Sequence, residues 1–125
     1  MNLNQVTLPA TDISASVAFY KTLGLRQITD APHYSRFECP NGDSTFSVHV
    51  VEGEFTPNSA CVTYFEVEGL DEFVQQKINE GIEFDQLATD MRWLWREARL
   101  RDPAGNVICL YWAGENRKNP PWRVK

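Results

Sequence analysis

The side chains of this 125-residue sequence that can do chemistry sit at alternate positions along a few short stretches: Gln5 and Thr7, Tyr34 and Arg36, Ser47 and His49, Tyr64 and Glu66, Trp95 with Glu97 and Arg99, and Cys109 with Tyr111. Residues two apart on a strand share a face, so each stretch presents one chemically mixed face. Buried carboxylates and guanidinium groups are costly unless paired, which makes such faces poor dry core. They suit a concave site for a small polar or anionic molecule: rings supply area, and Arg36 or Arg99 can hold a carboxylate in a two-pronged fork. The binding residues expected on this basis are Gln5, Tyr34, Arg36, His49, Tyr64, Trp95, Arg99, Cys109 and Tyr111. A blander reading of the same residues is an internal ion-pair network, Glu97 with Arg36 or Arg99, that only satisfies the sheet.

Individual residues carry their own alternatives. His49 is either a satisfied strand histidine or a ligand contact, and Gln5 either contacts the ligand or serves only its neighbours' hydrogen bonds. Cys109 lies in the apolar run Ile108-Cys109-Leu110 and there behaves as a small hydrophobe. A nucleophilic Cys109–His49 pair lacks the third, orienting group that such chemistry needs. His33, between Pro32 and Tyr34, reads as loop decoration. Trp93 and Trp95 alternate onto one strand face, to wall a pocket or to form a subunit interface.

The elements that must position these residues repeat. Residues 3–8 alternate as a strand, Thr11-Asp12 is a helix N-cap signal, and Ile13, Val17, Phe19-Tyr20 and Leu23 follow at helical spacing up to a stop at Gly24. Extended stretches near 25–29 and 34–39, a turn at Pro40-Asn41-Gly42-Asp43 and a strand at 44–51 complete the first half. The second half replays the order: strand 61–67, helix 69–80 stopped by Gly81, extended 82–88, strand 94–101, turn Asp102-Pro103-Ala104-Gly105-Asn106 and strand 107–112. Sliding one half onto the other places Asp12 on Gly69, Ile13 on Leu70, Val17 on Val74 and Gly24 on Gly81. Two copies of β-α-β-β-β are a specific signal, because order, capping positions and turns recur together. The opposite strand faces (Val6, Leu8, Phe37, Phe46, Val48, Val50 in one half, Phe65, Val67, Leu100, Ile108, Leu110 in the other) should pack on Val17, Phe19 or Tyr20, Phe73, Val74 and Ile78 as two small cores.

Composition narrows the class. A chain of this length buries roughly two-thirds of its surface as one domain. Twelve Lys+Arg against seventeen Asp+Glu, net −5, with no basic cluster, argue against a nucleic-acid partner. No apolar run approaches a membrane span. Three cysteines, Cys39, Cys61 and Cys109, at long spacings fit reduced thiols and a cytoplasmic location better than a disulfide framework, and Met1-Asn2-Leu3-Asn4-Gln5 lacks the blocks of a signal peptide. The tail, 114–125, is too polar and Pro-rich for a helix or central strand, with Trp122 as an anchor on its own domain or on a neighbour.

The duplicated pattern, with Asn4-Gln5-Val6-Thr7-Leu8-Pro9-Ala10-Thr11-Asp12, Ala18-Phe19-Tyr20-Lys21-Thr22-Leu23-Gly24-Leu25 and Arg99-Leu100-Arg101-Asp102-Pro103-Ala104-Gly105-Asn106-Val107-Ile108-Cys109-Leu110-Tyr111, resembles the vicinal oxygen chelate superfamily of glyoxalase I, bleomycin-resistance proteins and extradiol dioxygenases. The resemblance implies an α+β fold: two β-α-β-β-β modules whose curled mixed sheets surround a central cup. It implies one glyoxalase-like domain at 1–113, with modules about 1–56 and 57–113, followed by the tail. Metal-dependent members draw four cup-facing ligands from the first and last strand of each half. Here those positions carry Gln5, Ser47 or His49, Val62 and Cys109, so no cofactor is favoured; a divalent metal, if bound, would use Gln5 and His49. The resulting expectation is a homodimer lacking the full metal site that binds a small polar or anionic molecule, or a metal-independent enzyme acting on one. The alternatives are a metal-dependent lyase or dioxygenase with Glu97 or Glu66 as catalytic base, and a resistance protein that only sequesters its ligand.

Overall fold

The computed structural model describes all 125 residues, Met1–Lys125. Its residues fall into two compact units. The first comprises Met1–Ser59 with Asp102–Asn106, the second Ala60–Arg101 with Val107–Lys125.

In the first unit, β1 (Gln5–Ala10) is followed by α1 (Ile13–Leu23), β2 (Arg26–Ala31), β3 (Tyr34–Glu38) and β4 (Thr45–Val50). The sheet order is β1-β4-β3-β2, parallel between β1 and β4 and antiparallel elsewhere. Asp12 caps α1, its carboxylate accepting from the Ala15 amide at 3.1 Å. Gly24 ends the helix at φ 115°, a conformation that costs glycine nothing. The core is aromatic: the Tyr20 ring lies 4.5 Å from Phe46 and 6.1 Å from Phe37, all three buried beside Val48. Of the two helix residues the spacing left open, Tyr20 enters the core and Phe19 stands edge-on to it at 5.0 Å.

Tyr20 carries a polar handle into this core, and the Asp102–Asn106 turn receives it. Tyr20 Oη donates to Asp102 at 2.6 Å, and Asp102 also accepts from the amides of Ala104 and Asn106 and from Asn106 Nδ2. Asn106 Nδ2 further donates to the Pro9 carbonyl at 2.9 Å. Every group in the knot is paired, as burial requires. Gly105 (φ 89°) packs so tightly here that a Cβ would stand 2.6 Å from Pro57 Cγ.

The second unit repeats the plan with β5 (Val62–Glu66), α2 (Leu70–Asn79), β6 (Gln86–Asp90), β7 (Arg96–Arg101) and β8 (Val107–Trp112), in the order β5-β8-β7-β6. α2 has no side-chain cap, but Asp71 and Glu72 in its first turn suit the helix dipole. Leu70 and Val74 bury against a sheet face of Ala98, Leu100, Ile108 and Leu110. The α+β class, the duplicated module and the four-stranded mixed sheets are as expected.

Three local readings need correction. Residues 94 and 95 are not strand: β7 begins at Arg96, and Met91–Trp95 form a tight hairpin turn, with Leu94 N bonded to Met91 O and Met91 N to Trp95 O. Leu94 sits at φ 68°, the only non-glycine residue with positive φ, where glycine or asparagine is usual. Ile78 is 37% exposed rather than in the second core, because the buried positions of α2 are taken by Leu70, Val74 and Lys77. The tail does hold a helical turn, a single 3-10 turn over Gly114–Arg117, and Trp122 beyond it is exposed. No helix is long and apolar enough to cross a membrane.

Candidate functional site

Each sheet turns one face away from its helix, and the mixed residues stand on those faces. On the first sheet, register places Gln5 beside Thr45, Thr7 beside Ser47, and Arg36 beside Ser47. Ser47 is fully buried and is the hub. Gln5 Nε2 donates to it at 2.9 Å, and its Oγ lies 2.6 Å from Tyr34 Oη. Arg36 Nε donates to Tyr34 Oη at 2.9 Å, and the Thr45 hydroxyl donates to Gln5 Oε1. The Ser47 bond, then the Arg36 bond, hold the Tyr34 phenol below its ordinary value. His49 is exposed, its ring 6.2 Å from that of Tyr34.

The second face is built from rings around one buried carboxylate. Trp95 stacks on Tyr111 at 4.7 Å, and Tyr64 stands perpendicular to both. Glu97, with 1% of its side chain exposed, divides its oxygens: Oε1 accepts from Arg99 Nη2 at 3.1 Å, Oε2 from Trp93 Nε1 at 2.7 Å. Of the partners left open by the sequence, Arg99 is the one that pairs with Glu97. The same Nη2 reaches Tyr64 Oη at 3.4 Å. Cys109 is buried between these groups; burial, then the Glu97 charge, push its thiol up to about 12. Tyr111 is raised by burial first and by Glu66 second. Glu66 itself is exposed and forms no part of the Glu97 cluster.

Ser47 and Trp93 are the residues absent from the expected binding set that the geometry makes central. The signal for Trp93 is a Trp-x-x-x-Glu spacing across a tight hairpin, which strand alternation conceals.

A sequence model of the Glyoxalase/Bleomycin resistance protein/Dioxygenase superfamily matches residues 2–110. The chain belongs to that superfamily. No curated protein sequence matches it. Among solved structures it is similar to a glyoxalase/bleomycin resistance protein/dioxygenase from Nocardioides (20% identity, 100% of this chain and 90% of that one, TM-score 0.75). It is similar also to a lactoylglutathione lyase from Agrobacterium tumefaciens (19% identity, 89% and 92%, TM-score 0.72). A third is a bleomycin-binding protein complexed with bleomycin (20% identity, 90% and 98%, TM-score 0.69). At such identities these likenesses establish the fold alone.

For a member of this superfamily, a divalent metal is the cofactor to test against the residues present. The Gln5 amide is spent at both ends on Ser47 and Thr45. Val62 offers no donor atom. Cys109 is fully buried, and its thiol donates to the Leu110 carbonyl at 3.8 Å. No three His, Cys, Asp or Glu side chains gather where they could hold an ion. These donors do not fit a divalent-metal site.

Proposed function

We propose that this superfamily member binds a small anionic molecule with a flat apolar part, on the face formed by β5, β7 and β8, and that it binds without turning the molecule over. The observation that carries the reading is Arg99 itself. Buried Glu97 fixes its guanidinium through Nη2, which leaves Nη1 and Nε to donate to an incoming carboxylate. Tyr64, 43% exposed, and Trp95 stand beside it to cover a ring. Both Glu97 oxygens are engaged, so this carboxylate anchors Arg99 rather than standing ready as a base. That favours a sequestering role over the lyase or dioxygenase alternative. We read the protein as a cytoplasmic homodimer, from its reduced-thiol pattern and its family, with neither nucleic acid nor membrane as partner.

Titration of tryptophan fluorescence with naphthoate and benzoate tests this. The two probes should quench Trp95, and Arg99→Met should weaken binding about ten-fold or more, the loss of a charge-assisted bond. Equal affinity in Arg99→Met would overturn the assignment.

A further inference from the structure

The hydrogen bonds on the first sheet can be given directions. Gln5 Oε1 accepts from Thr45, which fixes the amide so that Nε2 faces Ser47. Ser47 is fully buried, and its single proton must find an acceptor inside the protein. Of its two partners, Gln5 Nε2 is a donor only, so the proton goes to Tyr34 Oη at 2.6 Å. Arg36 Nε, also a donor only, reaches the same oxygen at 2.9 Å. Tyr34 Oη thus accepts twice, and its own proton is the one left unspent, on a side chain that is only partly buried.

We infer that Tyr34 is a reactive phenol, a proton donor to a carboxylate or enolate oxygen and, once ionised, a nucleophile toward acyl or sulfonyl electrophiles. Arg36 and Ser47 would stabilise the phenolate left behind, Arg36 by charge as well as by its hydrogen bond. His49 is the other titratable group near the ring, at 6.2 Å. The site lies wholly in the first unit and does not rest on the reading of the second sheet.

Exposure alone would rank the residues the other way. Tyr64 is more exposed than Tyr34 yet receives a single long bond, from Arg99 at 3.4 Å. The test is to treat the full chain with phenylmethanesulfonyl fluoride at pH 8 and quantify each tyrosine by peptide mass spectrometry. The phenolic oxygen attacks sulfur, the O–S bond forms, the S–F bond breaks, fluoride leaves and the proton passes to buffer. Tyr34 should be labelled several-fold faster than Tyr64, because hydrogen bonds from Ser47 and Arg36 stabilise its phenolate. Ser47→Ala and Arg36→Met should each slow it several-fold, and Tyr34→Phe should abolish the fast label. Arg36 is exposed, so its variant keeps the test valid if Ser47→Ala fails to fold. Labelling of Tyr64 at an equal or greater rate would overturn the inference, as would a Tyr34 rate unchanged in Arg36→Met.

Discussion

The two sheet faces share one frame and fill it with different physics. In the first, short polar bonds run through Gln5, Ser47, Tyr34 and Arg36, most of them neutral and near solvent. In the second, three packed rings surround a carboxylate that is almost wholly buried and held by Arg99 and Trp93. A duplicated fold therefore does not duplicate its chemistry, because the strand order and the helix-side core fix the frame while the opposite face is free to diverge. The difference is also energetic: a buried ion pair is far more sensitive to loss of one partner than a neutral bond near water.

Substitutions can break that contrast, the largest effect first. Asp102→Ala should cost about 3 kcal/mol or more, since it strips the acceptor from the buried Tyr20 hydroxyl and from the Asn106 donors. Urea unfolding monitored by hydrogen exchange should show the first unit losing protection most. Glu97→Ala should cost about 2–3 kcal/mol, below the full penalty for a broken buried pair because Arg99 is 30% exposed and regains water. Ser47→Ala should cost only about 1 kcal/mol on the same denaturation curve. Equal losses at Glu97 and Ser47 would erase the distinction between the faces. Leu94→Gly should stabilise by up to about 1 kcal/mol, by removing a left-handed leucine from the hairpin turn.

Alkaline titration sharpens the comparison further. The folded-state pKa of Cys109 is raised from 9.0 to about 12, so the stability it supports is intact below pH 9 and is lost as pH rises toward 12. Tyr20 and Tyr111, also raised, act in the same direction, their loss beginning as pH passes 10. Tyr34 is lowered and has the opposite sign, gaining stability as pH approaches 10. The thermal midpoint should thus fall above pH 9, and Cys109→Ala should flatten the first part of the fall. At pH 8 a thiol reagent should modify the exposed Cys61 quickly and Cys109 only on unfolding.

The frame was legible in the sequence because each element carries its own punctuation. Asp12 caps α1, Gly24 ends it, and alternation sorts Phe37, Phe46 and Val48 from Tyr34, Arg36 and Ser47. The hairpin at 91–95 was not legible: its left-handed position holds Leu94, and Trp93-Leu94-Trp95 alternates just as a strand would. The role of Trp93 followed that error, since its indole meets Glu97 only because the chain turns there. Ser47 looked minor because hydroxyl residues are common on strands, and its importance lies in a burial that no local pattern reports.

The Asp102–Asn106 turn has a consequence for synthesis. The unit it completes begins at Met1, yet its buried Tyr20 hydroxyl finds its acceptor only at residue 102. A nascent chain that has just passed Ser59 owns the whole first sheet but not the group that closes its core. That intermediate must wait on the ribosome until most of the second unit has emerged, so cotranslational folding cannot finish one half before beginning the next.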